Sequence, residues 1–300
     1  MTSNGFKLEA RSTGDGSFSL FSPEFGEAFH SSRGALTEAR EKFVEPAGLE
    51  RFPPGSSLRV LDVCLGTGCN TAALLEACGS HQLTLQWWGL ELDQEPLAQA
   101  LASPAFCAQW QPGTVARLQE LCSGEGMLWG DARERVQPLV EQLKGQFDLV
   151  LMDAFSPSRC PQLWSVEFLG ALGALLRPEG KLLTYCSAAA IRQALRLAGL
   201  ELAAIEAPCG LQQHKQDWSG GTAASPSPVA RGPRLRPLSA MEEEHLLTNA
   251  AEPYRDPGFS LDRKTILQRR QQAQARAMQE GNVEGTSAWR RRWGLTGNHQ

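Results

Sequence analysis

Three hundred residues, 42% hydrophobic and 21% charged, can bury a core without disulfide staples, which excludes a wholly disordered chain. No run approaches the roughly 18 apolar residues of a membrane span, and Met1–Lys7 lacks a secretory pattern, so a cytoplasmic protein with no membrane partner is expected. The net charge of −4 is uneven: residues 1–207 hold 16 basic and 24 acidic side chains, residues 208–300 hold 13 and 9, which suits a polyanionic partner or a solvated basic tail.

Residues 5–22 read as a hairpin, with Gly5–Ala10 and Ser17–Phe21 on either side of Thr13-Gly14-Asp15-Gly16, because Asp-Gly is a strong turn signal. Residues 34–50 read as a helix with a long polar face. After Pro53-Pro54-Gly55 come a buried-strand run at Leu58–Cys64, a glycine-rich turn and a short helix at Thr71–Cys78. Strands at Leu83–Leu92, Gly126–Trp129, Phe147–Met152, Lys181–Cys186 and Glu201–Ala207 then alternate with helices at Glu95–Leu101, Arg133–Leu143, Gln162–Leu176 and Ala188–Ala198. That alternation predicts an α/β domain with a mostly parallel sheet. Residues 219–239 have the Ser/Gly/Pro composition of a linker, residues 240–280 resume polar helices, and the last twenty residues, with Arg290-Arg291-Arg292, are expected to be mobile. The chain divides into a hairpin and helix over 1–50, an α/β domain over 51–225 and a linker with a basic, partly helical extension over 226–300. None of the eight cysteines forms a C-x-x-C pair, so buried thiols are expected in place of a metal site.

The chemistry concentrates at strand ends. The first strand of the α/β domain runs into Leu61-Asp62-Val63-Cys64-Leu65-Gly66-Thr67-Gly68-Cys69-Asn70-Thr71. Gly66 and Gly68 let backbone approach a ligand closely, although the same pattern also makes a structural turn. A dinucleotide fingerprint needs a third glycine where Thr71 stands. Asp62, in a buried strand, needs a partner. The acid-x-x-x-Gly-x-Gly pattern resembles the loop of class I S-adenosylmethionine (SAM) methyltransferases. About twenty residues further on, such folds set an acid on the ribose hydroxyls. Glu91 is the candidate, and Asp93 is its rival or a cap for the next helix. Asp131 after the third strand either accepts from an adenine amino group or caps a helix, while the backbone at Ala132 reads the ring. Asp153 ends a central strand, where a carboxylate can orient an acceptor amine or take its proton during in-line displacement. Phe155 and Trp164 stack on a base or pack in the core, and Pro157 stiffens the turn between them.

Asp153-Ala154-Phe155-Ser156-Pro157 followed by Pro161-Gln162-Leu163-Trp164 resembles the D-x-F-x-P…N-P-x-[LM]-W signature of the MnmC-type methyltransferase domain. Leu183–Ala188 with Ile191-Arg192 and Ala198-Gly199-Leu200 is similar to its T-Y-[ST]-x-A…[VI]-R…A-G-[FL] pattern. Asp15-Gly16-Ser17 and Phe29–Ala35 with Glu38 match its D-G-S and H-S…G-A…E segments. The resemblance covers residues 12–207. It implies a class I fold with a seven-stranded sheet. It also implies methylation, from SAM, of the aminomethyl group on a wobble uridine of tRNA, giving 5-methylaminomethyl-2-thiouridine. By matched position, Gly66, Gly68, Glu91 and Asp131 hold SAM, Asp153 faces the acceptor, and Glu38 and Asn70 are further candidates. No flavin loop follows residue 207, so a stand-alone enzyme without FAD or metal is expected, with a separate enzyme making the aminomethyl precursor. Where the family has a G-x-G-x-K-R-like segment, this chain reads Cys209-Gly210-Leu211-Gln212-Gln213-His214-Lys215, which leaves a small-molecule or protein acceptor as an alternative. A non-catalytic RNA-binding protein that keeps the fold is another. Arg231, Arg234, Arg236, Arg263, Lys264, Arg269 and Arg270 are candidate contacts to tRNA phosphates, or else parts of a solvated helix.

Overall fold

The computed structural model describes residues 7–207, 219–281 and 283–295, so the Cys209–Lys215 segment lies outside the described residues. An N-terminal antiparallel sheet has three strands, β1 (Glu9–Ser12), β2 (Phe18–Ser22) and β3 (Glu27–Ala28). The turn between β1 and β2 is held by Asp15, whose carboxylate accepts from the Ser17 amide at 3.0 Å and from the Thr37 amide at 3.1 Å. These hydrogen bonds keep the Asp15 pKa well below the usual carboxylate range against the opposing effect of burial. Gly34 is required beside it: at φ +142° a Cβ would lie 1.9 Å from the Asp15 carboxylate. The helix that follows is interrupted, as α1 (Ala35–Glu38), a π-helical stretch (Ala39–Val44) and α2 (Glu45–Ala47).

The main sheet has eight strands: β4 (Ser57–Val63), β5 (Thr84–Glu91), β6 (Met127–Trp129), β7 (Phe147–Met152), β8 (Leu176–Thr184), β9 (Glu201–Ile205), β10 (Gly221–Ser225) and β11 (Leu235–Arg236). Their order is β11-β9-β10-β8-β7-β4-β5-β6. The block from β8 to β6 is parallel, and β10 pairs antiparallel with both β8 and β9. This is the expected class I α/β fold with one short edge strand added. The sheet is covered by α3 (Cys69–Ser80), α4 (Glu95–Ala102), α5 (Pro104–Cys107), α6 (Pro112–Ser123), α7 (Ala132–Leu143), α8 (Val166–Leu175) and α9 (Ala189–Leu197). Buried aliphatic and aromatic side chains fill both faces, with Val60 and Leu149 on one and Leu61 and Val150 on the other.

Three expectations are corrected. The segment 219–239 is not a linker, because β10 lies inside the sheet with all five residues buried. Gly221 is required by crowding: a Cβ there would sit 2.4 Å from the Thr184 carbonyl oxygen. The extension is not detached. It builds β11, α10 (Ala240–His245), α11 (Arg263–Gln279) and α12 (Thr286–Arg292) onto the domain. Glu242 of α10 is buried against Arg192 at 3.2 Å, and Asp256, fully buried, accepts from Arg133 at 2.9 Å. Third, the described part of the last twenty residues is ordered by Trp289, which is buried and stacked on His245 with centroids 4.3 Å apart. The helices α5 and α6 have no counterpart among the predicted elements.

Candidate active site

A cavity of about 580 Å³ opens at the carboxyl ends of β4, β5, β6 and β7 and is roofed by β3 and the π-helical stretch. Parallel sheets bring the loops of successive strands to this one edge. Gly66, Glu91, Asp131, Ala132, Asp153 and Phe155 all line the cavity, so the strand-end reading brought together most of its candidates.

The loop after β4 is built from left-handed backbone at Cys64 (φ +64°), Gly66 (φ +57°) and Gly68 (φ +79°). The Gly66 amide donates to Glu91 Oε2 at 2.8 Å, which ties the loop to the end of β5. Gly68 does a different job. A Cβ there would press on Leu118 at 3.0 Å and Leu97 at 3.1 Å, so this glycine seats α3 against its neighbours away from the cavity. Asp62 has the partner its burial demands, the Thr71 hydroxyl at 2.6 Å, which itself accepts from Trp87 Nε1 at 2.9 Å. Thr71 thus occupies the third-glycine position to hold a buried acid. Burial still pushes Asp62 up to about 7.

Glu91 takes backbone amides on both oxygens, the second from Leu92 at 2.7 Å, and burial raises its pKa. Asp93 also faces the cavity, but Oδ1 accepts from the Glu95 amide at 2.9 Å and so caps α4. Asp131 caps α7 through the Arg133 amide at 2.9 Å and pairs with the Arg133 guanidinium at 2.7 Å. That fork holds its carboxyl below its ordinary value against desolvation. Its side chain is therefore committed to the helix, and the backbone of Ala132 is the group left to face a ring.

Asp153 follows β7 and accepts from Asn70 Nδ2 at 2.7 Å. Asn70 reaches the site only through Asp153. Desolvation outweighs that hydrogen bond, Glu38 and Asp62 add to it, and the Asp153 carboxyl is pushed up to about 7. Phe155 stacks on Phe25 at 4.5 Å and meets Phe29 edge-on at 5.1 Å. Trp164 is not a stacking surface. Its side chain is fully buried, donates from Nε1 to the Phe155 carbonyl at 2.8 Å and packs edge-on against Tyr185. Pro157 is half-buried and lies off the cavity wall.

The roof supplies residues that strand-end reasoning missed: Phe25, Glu27, Phe29, His30 and Lys42, with Tyr185 from the floor. Phe29, His30 and Tyr185 fall inside the segments that carry the family resemblance, whereas Phe25, Glu27 and Lys42 belong to no motif. His30 is held neutral, its pKa lowered to about 4 by burial. The junction of α1 with the π-helical stretch brings Glu38 and Lys42 to the same wall, 4.0 Å apart. Lys42 Nζ donates to the Gly220 carbonyl at 2.9 Å and is the one lysine or arginine among the described cavity residues. Acids dominate the remaining polar lining.

A family model described as S-adenosyl-L-methionine-dependent methyltransferase matches residues 108–213. The chain is 28% identical over 214 residues to the tRNA 5-methylaminomethyl-2-thiouridine biosynthesis bifunctional protein MnmC of Burkholderia multivorans, covering 64% of this chain and 32% of that protein. It therefore spans about a third of the length of that relative. An uncharacterized protein of Methanocaldococcus jannaschii is 27% identical over 87% of this chain and 70% of its own length. The crystal structure of MNMC2 from Aquifex aeolicus superposes with a TM-score of 0.71 at 27% identity, over 90% of this chain and 85% of that one. Over most of its length the chain is similar to MnmC-type methyltransferase domains. It is a SAM-dependent methyltransferase, similar to tRNA-modification enzymes. Among the described residues no helix is long and apolar enough to cross a membrane, and no cluster of three or more His, Cys, Asp or Glu could hold a metal ion.

Proposed function

We propose that this enzyme methylates the aminomethyl group of a modified wobble uridine in tRNA, with a separate enzyme supplying that precursor. The observation that carries the reading is Asp153: a carboxylate poised near neutrality, tethered to Asn70, in a cavity whose walls are acidic. Such walls attract a sulfonium and an ammonium and repel phosphate. The name of the Burkholderia relative, a tRNA 5-methylaminomethyl-2-thiouridine biosynthesis protein, supports the amine acceptor.

The residues fit SAM. The Gly66 backbone is open to the cavity, Glu91 and Asp93 offer carboxylate acceptors for hydroxyls, and Ala132 offers backbone beside a helix start. Lys42 suits a carboxylate and Glu38 an ammonium, the two charges of an amino-acid end. Bound SAM supplies a methyl group on a sulfonium sulfur. The chain's own work is to orient and to move a proton. Asp153 accepts a proton from the acceptor ammonium, leaving a neutral nitrogen lone pair for attack. Asn70 fixes the orientation of the carboxylate. Phe25, Phe29 and Phe155 exclude water from that step.

The test is transfer of a labelled methyl from SAM to two tRNA samples, one carrying aminomethyl-uridine at the wobble position and one unmodified there. Label in the first alone supports the reading. Equal label in both, or label in neither while SAM binds, overturns it and returns the acceptor to a small molecule or protein.

A further inference from the structure

The basic tail divides into arginines that the fold uses and cations that it leaves facing water. Arg234 pairs with Glu45 at 2.6 Å and Glu41 at 3.1 Å, and Arg236 pairs with Glu242 at 2.7 Å. Arg270 lies over the Tyr254 ring and donates to the Glu252 and Ala250 carbonyls at 2.6 and 3.0 Å. These side chains hold the extension to the domain.

α11 differs. Between Arg263 and Gln279 it carries five basic residues and no acid. Arg263, Lys264, Arg269 and Arg276 are exposed, and no hydrogen bond or ion pair engages their side chains among the described residues. Asp262 caps the helix through the Thr265 amide at 2.7 Å and Glu280 follows its end, so acids bracket the helix without entering it. Ile266 is buried in the core and seats the helix, and the four cations fan out around the remaining surface. Like charges spaced along one helix repel in the absence of a counter-charge.

The helix starts beside the cavity. α11 packs on the Pro161–Trp164 turn, whose Gln162 and Leu163 line the cavity, and Arg133 bridges Asp131 to the Leu261 carbonyl at 3.1 Å just before the helix begins. At about 1.5 Å per residue, the cations of α11 form a rail of about 20 Å, from Arg263 to Arg276, that starts beside that mouth. The mouth is acidic and rejects phosphate, so a polyanionic substrate needs a cationic surface next to it, not in it.

We propose that the exposed cations of α11 form the surface on which the RNA backbone docks. This rests on the reading that the acceptor is an RNA. Phosphates lie along Arg263, Lys264, Arg269 and Arg276, and one nucleotide leaves the rail to enter the cavity. Such contacts are salt-sensitive and independent of sequence.

The experiment uses the full chain with all four residues changed to Gln, beside a control in which Arg11, Arg117 and Lys144, exposed cations elsewhere, are changed to Gln. Binding of a fluorescein-labelled anticodon stem-loop RNA is followed by anisotropy over a potassium chloride series. The slope of log affinity against log salt is expected to fall by about 3 in the α11 variant, at about 0.7 to 0.9 per lost contact, and to hold in the control. Circular dichroism and SAM binding are expected to match the wild type. An unchanged slope, an equal fall in the control, or no RNA binding by the wild type at low salt overturns the proposal. Failure of the acceptor reading looks different: RNA binding through α11 with no methyl transferred.

Discussion

Replacing Asp153 by Asn separates catalysis, cofactor binding and stability in one variant. Burial raises this carboxyl from 3.8 to about 7 in the folded protein. The folded state therefore holds a proton that the unfolded chain has lost, and ionising Asp153 costs stability progressively as pH rises from about 4 to about 7. At about 1.4 kcal/mol per pH unit, the cost grows by roughly 2 to 3 kcal/mol between pH 5 and pH 8. The substituted amide carries no such charge, and Asn70 can turn its own amide to keep the hydrogen bond. The variant should gain that amount of stability relative to wild type between the two pH values, measured by urea denaturation. Turnover should fall by roughly 100- to 10,000-fold, the range for losing a general base. The wild-type kcat should rise with pH through about 7, and the variant should lose that limb. SAM affinity by calorimetry should not move. A stability difference that is the same at both pH values, or SAM affinity falling in step with turnover, would refute the reasoning.

Lys42→Met should weaken SAM binding by roughly ten- to a hundred-fold, the effect of losing a charge-assisted hydrogen bond, and calorimetry showing no change would remove Lys42 from the cofactor's carboxylate. Trp164→Phe should lower stability by about 1 kcal/mol through the lost hydrogen bond to Phe155 while leaving KM for RNA unchanged. A raised KM without a stability loss would restore the stacking role. Gly34→Ala places a Cβ on the Asp15 carboxylate at φ +142° and should lower Tm by several degrees or prevent folding. A variant as stable as wild type would mean that Asp15 moves aside freely.

The α/β core was legible because each strand-helix unit leaves a local trace. Leu61–Thr71 announces both the buried acid and the turn, and Asp153 stands where a central strand ends. The motifs behind the family resemblance turned out to include structural clamps: Asp15 holds Thr37, and Glu38 accepts from the Ser31 amide at 2.9 Å. What stayed hidden depends on contacts distant in sequence. β10 is made of small residues, Gly221 among them because the Thr184 carbonyl crowds it, and so has the composition of a loop. Arg234 meets Glu41 across 193 positions, so charge counting could not tell it from the exposed Arg269. The roof of the cavity precedes the β-α rhythm altogether, and neither Lys42 nor Phe25 carries a motif of its own. Trp164 stayed open between base stacking and core packing because its hydrogen bond to the Phe155 backbone closes only in the folded turn.

The most direct test of the account is nucleoside mass spectrometry on tRNA after reaction. Purified enzyme and isotopically labelled SAM are mixed with tRNA bearing 5-aminomethyl-2-thiouridine, which is then digested to nucleosides. The account predicts labelled 5-methylaminomethyl-2-thiouridine from the wild type and almost none from Asp153→Asn. Label in any other nucleoside, or equal product from the two proteins, would contradict it.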